Sequence, residues 1–198
     1  MIQRDKYHHG DLRNALLSAT LELVREQGTR GFSVSEAARR AGVSISAPYR
    51  HFADREALLA AAAQHAFGQM ELRFATLDLG ETLTSRAERI CTAYLAFAQE
   101  DPARFDVMFA AGIDKARHPS LLEQTSGIQT QLEEALAPYV AQAEVAERAA
   151  ELWSIAHGVA TLTLGGHLHH VVDRSRIVTM AASAARTWVA GVPGVHMH

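Results

Sequence analysis

Cysteine, proline and long apolar runs are all scarce in this chain of 198 residues. The single cysteine, Cys91, excludes a disulfide within the chain and indicates a reducing compartment, so we expect a cytoplasmic protein. No stretch approaches the roughly 18 uninterrupted apolar residues of a membrane helix, and the first residues show no apolar signal-peptide core. We therefore expect a protein that is neither exported nor anchored in a membrane.

Motifs of common enzymes are also missing. The sequence contains no G-x-S-x-G, H-E-x-x-H, P-loop or G-x-G-x-x-G pattern, and no spacing suggests a Ser, His and acid arrangement. The sequence thus predicts a protein that is not an enzyme and has no resident cofactor.

Charge is divided unevenly along the chain. The net charge is -3, yet residues 1–66 carry +2 and the remainder carries -5. This asymmetry favours an N-terminal part that faces DNA and an acidic body kept away from phosphates.

Apolar periodicity and breaker residues predict an all-α protein. Hydrophobic residues make up 48% of the chain, enough for a substantial core, and the 5 prolines lie at the ends of periodic segments. The pattern predicts nine helices, at about 11–27, 33–41, 44–52, 54–70, 83–98, 102–112, 119–138, 144–164 and 174–190. Because the pattern lapses around 77–82, we predict a DNA-binding domain over 9–70 and a helical ligand-binding and dimerisation domain over 82–192.

The second and third predicted helices form a helix-turn-helix motif at about 33–52. Ser33 and Glu36 form an S-x-x-E capping box, and Gly42 supplies the positive φ of the turn. Ala38 is small where the two helices approach, while Val43 and Phe52 fill the space beneath. Such a pair can place its second helix in the major groove of DNA.

These residues resemble the DNA-binding domain of the tetracycline-repressor (TetR) family. The similarity covers about a third of the chain, from Leu12 to about Met70, and includes the segment FSVSEAARRAGVSISAPYRHFADREALL. Pro48 departs from the family pattern, which usually has an aliphatic residue before the recognition tyrosine. The resemblance implies a bacterial transcriptional repressor that binds operator DNA as a homodimer and responds to a small molecule.

The resemblance also implies which side chains contact DNA. Phosphate contacts are expected from Tyr49 and His51, with Arg55 holding the backbone, and we include Ser33 and Ser35 at the start of the second helix. The residues expected to face the bases are Ser44, Ile45, Ser46, Ala47 and Arg50. Only Arg50 has the forked donors of a bidentate guanine contact. For every residue expected to contact DNA, the alternative is a solvated surface position, and this alternative is most serious for Ile45 and Ala47.

A second resemblance lies in the C-terminal half. Trp153, His157 and Gly158 are similar to the Trp-x-x-x-His-Gly signature of one C-terminal domain type in the same family. Phenylalanine and methionine concentrate on the fourth to sixth predicted helices, which favours an adaptable ligand pocket. The alternative, to be expected for most buried apolar residues, is that they are simply core. The candidate pocket residues are Phe67, Met70, Phe74, Phe97, Phe105, Met108, Phe109, Trp153 and His157.

The last two predicted helices are expected to pair with their copies in a second chain. Close crossing would be permitted by small residues around Trp188, namely Ala181, Ala182, Ala184 and Ala185. An isologous contact of this kind matches the two-fold symmetry of a palindromic operator.

Two alternatives to a ligand-controlled repressor stay open at this point. His167, His169 and His170, with His157, suggest a metal-responsive regulator, but a run after Gly165 and Gly166 is more typical of a solvated connection. The other alternative is a DNA-binding protein that no ligand controls. Cys91 lies on an alanine-rich segment and is interpreted as a small core residue.

Overall fold

The computed structural model describes residues 9–110 and 112–192, and within them the chain is helical without a β-strand. This confirms the all-α prediction. The α-helices are α1 (His9–Gly31), α2 (Val34–Arg40), α3 (Arg55–Ala75), α4 (Leu83–Glu100), α5 (Pro102–Met108), α6 (Pro119–Leu136), α7 (Val145–Leu164) and α8 (Ile177–Ala190). Three short 3-10 turns cover Pro48–Arg50, Lys115–Arg117 and Arg174–Arg176.

The prediction of nine helices is wrong by one within these residues, because the third predicted helix is not an α-helix. The segment from Ser44 to Phe52 is a series of turns whose regular part is the 3-10 turn Pro48–Arg50. Pro48 has no N–H to donate to the carbonyl of Ser44, and its ring would clash with that carbonyl in an α-helix. The backbone instead closes i to i+3 bonds, such as Ala47 N to Ser44 O and His51 N to Pro48 O.

Helix ends near the N-terminus mostly follow the residues that predicted them. Gly28 (φ 72°) interrupts α1 and Gly42 (φ 71°) ends the turn after α2, both in the left-handed region. The Ser33 hydroxyl accepts from the Glu36 N–H and caps α2, but the Glu36 carboxylate forms a close ion pair with Arg39. Only the first half of the predicted capping box is therefore present.

The chain divides into two compact units. The first contains residues up to Ala66 together with Ala103–Leu122, so α5 and the turn at Lys115–Arg117 belong to the same unit as the helix-turn-helix. Its core includes Leu16, Leu23, Ala37 and Leu58, each fully buried. α1 packs on α2 within this unit.

The second unit contains Phe67–Pro102 and the residues from Glu123 onward. In it α4 packs against both α7 and α8. Leu95 and Ala98 of α4, Leu152 and Ala160 of α7, and Ala185 of α8 are fully buried. Alanine at these positions lets the helices cross closely, because it adds little side-chain bulk between two backbones.

Candidate nucleic-acid interface

The turn between α2 and the Pro48 turn is held by backbone hydrogen bonds and one buried ring. Val43 N donates to Ala38 O at 3.0 Å, and Gly42 N donates to Arg39 O at 3.1 Å. Phe52 is 5% exposed and packs beneath the motif, where Arg13 lies over its ring at 5.8 Å. The roles predicted for Gly42 and Phe52 in supporting the turn agree with this arrangement.

Five of the residues predicted to face DNA protrude from this turn. Ser44, Ile45, Ser46, Tyr49 and Arg50 are exposed, with Ile45 at 60% and Tyr49 at 53%. The exposed set thus includes both apolar and polar side chains. Polar contact to bases and apolar contact to thymine methyl groups are both available from such a surface.

The side chains of Arg50 and Tyr49 have no hydrogen-bond or ion-pair partner in the described part of the chain. The guanidinium of Arg50 therefore keeps all five N–H groups for an external acceptor. Ser44 and Ser46 share a hydrogen bond of 3.2 Å between their hydroxyls. Ala47 and His51 are half-buried at the base of the same turn.

The three remaining predicted contacts lie around this surface. Ser33 is exposed and already engaged in capping α2, and Ser35 is half-buried in the first turn of that helix. Arg55 donates from Nε to Phe32 O at 3.1 Å and from Nη2 to Thr29 O at 2.5 Å. Its guanidinium also lies 4.5 Å from the centroid of the Phe32 ring. Nε and Nη2 of Arg55 thus hold the loop between α1 and α2, and its expected contact with DNA stays a prediction.

Sequence reasoning missed a carboxylate cluster beside the motif. Glu56, in the first turn of α3, accepts from Arg117 Nη1 at 2.6 Å and from the Asp114 N–H at 3.1 Å. His118 Nε2 lies 3.1 Å from the same carboxylate. The partners are about 60 positions apart in sequence, so no local pattern could have shown the contact.

The candidate pocket residues are mostly deep in the cores of their own units. Phe67, Met70, Phe97, Phe105 and Met108 are 1–5% exposed and Phe74 is 8% exposed, whereas Phe109 and Trp153 are each 37% exposed. The second unit contains a cavity of about 340 Å³, and of the predicted residues only Phe74 lines it. Its other walls include Arg86, Ile90 and Leu132, which the sequence pattern did not single out.

Trp153 and His157 do share a face of α7, as their spacing predicts. Their ring centroids are 5.5 Å apart, and His157 Nδ1 lies 2.9 Å from the Tyr94 hydroxyl of α4. Burial lowers the pKa of His157 and raises the pKa of Tyr94, and a hydrogen bond with Trp153 acts in the opposite direction on Tyr94. A Cβ built on Gly158 would meet nothing within 4 Å, so the backbone there is open to another molecule.

The outer faces of α7 and α8 carry small side chains. Ala150, Ser154 and Thr161 of α7 are exposed, as are Ser183 and Thr187 of α8. Apolar side chains are exposed among them, with Trp153 at 37%, Leu162 at 44% and Val178 at 49%. An exposed surface of small and apolar residues is typical of a helix-to-helix interface between chains.

The remaining candidate residues lie either on the surface or in the core. His167, His169 and His170 are exposed, and the described residues contain no group of three or more His, Cys, Asp or Glu placed to hold a metal ion. Cys91 is 1% exposed, and burial raises its pKa to about 12. No helix in the described ranges combines the length and apolar composition needed to cross a membrane.

A helix-turn-helix with an exposed arginine and tyrosine at its tip, joined to a larger helical body, defines a DNA-binding transcriptional regulator rather than an enzyme. Family models match both parts of the chain. Residues 87–192 match the tetracyclin repressor-like C-terminal domain, and residues 16–62 match the tetR family of bacterial regulatory proteins. The chain belongs to the tetR family of regulators.

Solved structures share the fold of this chain. A protein of unknown function from Rhodococcus sp. RHA1 is 26% identical, with a TM-score of 0.77 over 96% of this chain and 99% of the other. A transcriptional regulator from the same organism is 24% identical, with a TM-score of 0.74 over 93% and 99% of the two chains. FadR from Bacillus subtilis, solved with stearoyl-CoA, is 18% identical, with a TM-score of 0.70 over 92% and 99%. Comparison with curated protein sequences gave no match.

Proposed function

We propose that this protein is a homodimeric repressor that binds operator DNA through the turn around Pro48 and leaves it when a small molecule binds the body. One observation carries the DNA contact: the side chains of Arg50 and Tyr49 protrude from the turn without a hydrogen-bond or ion-pair partner among the described residues. A cation that folding leaves unpaired at the tip of a helix-turn-helix suits guanine or phosphate in the major groove.

Some of the proposed contacts read the base sequence, and the others position the protein on the DNA backbone. Arg50 reads a base, and its neighbours Ser44, Ile45, Ser46 and Ala47 lie against base edges. Tyr49 and His51 bind phosphates, and the start of α2 at Ser33 and Ser35 approaches the backbone of the DNA. Arg55 acts indirectly, because its hydrogen bonds to Phe32 and Thr29 fix the loop that precedes α2.

The two parts of the chain divide this work. Residues 9–70 bind DNA, and residues 82–192 bind the effector and a second copy of the chain. We assign the body to the Trp-x-x-x-His-Gly type, because Trp153 and His157 contact each other and Gly158 leaves the backbone of α7 open. This assignment fits a surface at which another helix approaches.

Dimerisation uses α7 and α8. Their exposed faces combine small residues with Trp153, Leu162 and Val178. A second copy of the chain, related by a two-fold axis, would remove these apolar side chains from water. A symmetric dimer places two reading turns about one DNA turn apart, roughly 34–36 Å, which is the spacing of successive major grooves on one side of the duplex.

Effector binding changes operator affinity by favouring one of two dimer arrangements. The shift can be no larger than the ratio of the effector's affinities for the two arrangements. α3 includes Arg55 of the first unit and Phe74 of the second, so we propose it as the helix that transmits the change. That FadR of Bacillus subtilis was solved with stearoyl-CoA supports a small-molecule effector for this chain as well.

The test is binding to the DNA upstream of the gene itself, measured by fluorescence anisotropy at two salt concentrations. Arg50→Ala and Tyr49→Ala are compared with Arg176→Ala, which removes an exposed arginine before α8. We expect salt-sensitive, sequence-selective binding, weakened by Arg50→Ala by ~1–3 kcal/mol, about 5- to 150-fold. Equal weak binding to any DNA, unchanged in the two turn variants, would overturn the proposal.

A further inference from the structure

The cavity of the second unit lies among the end of α3, the beginning of α4 and the last turns of α6. At about 340 Å³ it is at the lower end of the range for small-molecule sites, ~300–1,000 Å³. Its walls combine an apolar part, with Phe74, Ile90 and Leu132, and a polar part that includes Arg86 and Gln131. A site of this size suits a compact molecule with one polar end.

Arg86 is a fixed cation in this wall. Its Nη1 donates to Ala135 O at 2.9 Å, and its guanidinium carbon lies 5.0 Å from the centroid of the Tyr139 ring. Its Nε is buried and has no hydrogen-bond partner. The side chain is thus oriented by a carbonyl and a ring, neither of which neutralises its charge.

Four other arginines of the same unit have an anionic partner, whereas Arg174 and Arg176, which show none, are exposed to solvent. Arg73 pairs with Glu100, Arg89 with Asp78, Arg148 with Glu144 and Glu151, and Arg186 with Glu88. Arg86 forms no ion pair with a carboxylate of the described residues. Glu134 is the one carboxylate in the cavity wall; it is exposed and does not bond to Arg86. No carboxylate of the described residues therefore neutralises Arg86, and its place in the cavity wall leaves the guanidinium available to an anion.

Gln131 contributes a second buried polar atom without a hydrogen-bond partner. Its Nε2 donates to Glu71 O at 3.2 Å, while its Oε1 is buried without a partner. An amide oxygen accepts hydrogen bonds, so it suits a hydroxyl or N–H of the ligand, or a bridging water, rather than a second anion. The cavity therefore offers one cation and one acceptor against an apolar surface.

We propose that this cavity binds a small monocarboxylate with an apolar body, its carboxylate paired with the guanidinium of Arg86. The body of the ligand contacts Phe74, Ile90 and Leu132. A carboxylate offers the planar acceptor pair that an arginine binds best. This inference rests on the proposed ligand-controlled function and names the chemical class of its effector.

The first experiment measures binding to the full-length protein without DNA, by isothermal titration calorimetry. The probes are octanoate and 4-phenylbutyrate, each beside the primary amide and the primary amine of the same carbon skeleton. We expect at least one carboxylate to bind about 10-fold or more tightly than its amide, and the amines not to bind. Absence of binding by both carboxylates at millimolar concentration, or equal binding of the amides, would overturn the proposal.

Variants then test the residue that carries the inference. Arg86→Gln is expected to weaken carboxylate binding about 10-fold or more, whereas Arg89→Gln, on the same helix but paired with Asp78, leaves it unchanged. Gln131→Glu adds a negative charge to the wall and should weaken the carboxylate without weakening the amide. If Arg86→Gln does not fold, the Gln131→Glu comparison decides; carboxylate affinity unchanged in the folded variants contradicts the proposal.

Operator affinity is measured separately with and without the bound probe. A carboxylate that binds the cavity but leaves operator affinity unchanged supports the site and contradicts ligand-controlled release. Release by a different molecule, with no carboxylate bound, supports ligand control and contradicts the site. The two proposals therefore fail in distinguishable ways.

Discussion

The hydroxyl of Tyr94 lies 2.9 Å from Nδ1 of His157, so a fully buried residue of α4 is hydrogen-bonded to the histidine that α7 shares with Trp153. Burial lowers the pKa of His157 and so favours the neutral ring; in the tautomer that carries its proton on Nε2, Nδ1 accepts a hydrogen bond from the Tyr94 hydroxyl. This bond ties together two helices of the body.

Acidification is expected to destabilise the protein through His157. A histidine whose folded pKa lies below its unfolded value of about 6.5 contributes most stability above that pH and loses it as pH falls toward the folded pKa. The free energy of unfolding by urea should decrease from pH 7.5 to 5.5 by less in His157→Phe than in the unchanged protein. Tyr94→Phe, which leaves the histidine in place, is the matched control; an equal pH dependence in both variants contradicts the assignment.

Glu56 is expected to stabilise the first unit. Glu56→Gln keeps the shape of the side chain but removes the charge that Arg117 and His118 share, at an expected cost of about 1–2 kcal/mol in the free energy of unfolding. Arg117 is 58% exposed, so Arg117→Gln should cost less. Glu123→Gln, an exposed carboxylate on α6, is the control, and a Glu56 variant as stable as this control would show that the cluster contributes nothing.

Pro48 is expected to determine which bases Arg50 meets. Pro48→Leu restores the N–H that an α-helix needs and permits a bond to the Ser44 carbonyl, so the 3-10 turn can become part of a longer helix. We predict that the variant prefers a different DNA sequence. Its specificity for the original sequence should fall more than its free energy of unfolding. Selection of binding sites from random DNA with the two proteins measures this, and identical selected sites would contradict the prediction.

Thr161 tests the dimer surface. Thr161→Arg places a long charged side chain on the exposed face of α7 and should convert a dimer into a monomer, because a buried unpaired charge is costly. Thr130→Arg makes the same change on the exposed face of α6 and should leave the dimer intact. Light scattering coupled to size-exclusion chromatography gives both masses. Equal masses for the two variants would place the interface elsewhere.

Local signals predicted local structure well. Gly28 and Gly42 have the positive φ that only glycine adopts easily, and Ser33 caps the helix that follows it. The prediction of a third α-helix was wrong because Pro48, which has no N–H to donate, lies in the middle of the segment. Proline is tolerated in the first turn of a helix, but this tolerance does not mean that the turn continues as an α-helix.

Contacts between distant segments could not be read in the same way. The hydrogen bonds from Arg55 to the Thr29 and Phe32 carbonyls join residues more than 20 positions apart, and no local pattern indicates them. The Glu56 cluster and the cavity beside Arg86 depend on residues about 50 to 60 positions apart. Aromatic composition suggested a pocket, but the position of the cavity depends on how α3, α4 and α6 pack.

The burial of Cys91 has a practical consequence. Because the one native thiol is 1% exposed and its pKa is raised to about 12, alkylating reagents should leave it unmodified in the folded protein. A cysteine introduced at the exposed Ser46 would then be the sole labelling site in each copy. Paired spin labels at that position could report the spacing of the two reading turns in solution, with and without an effector, in an otherwise native sequence.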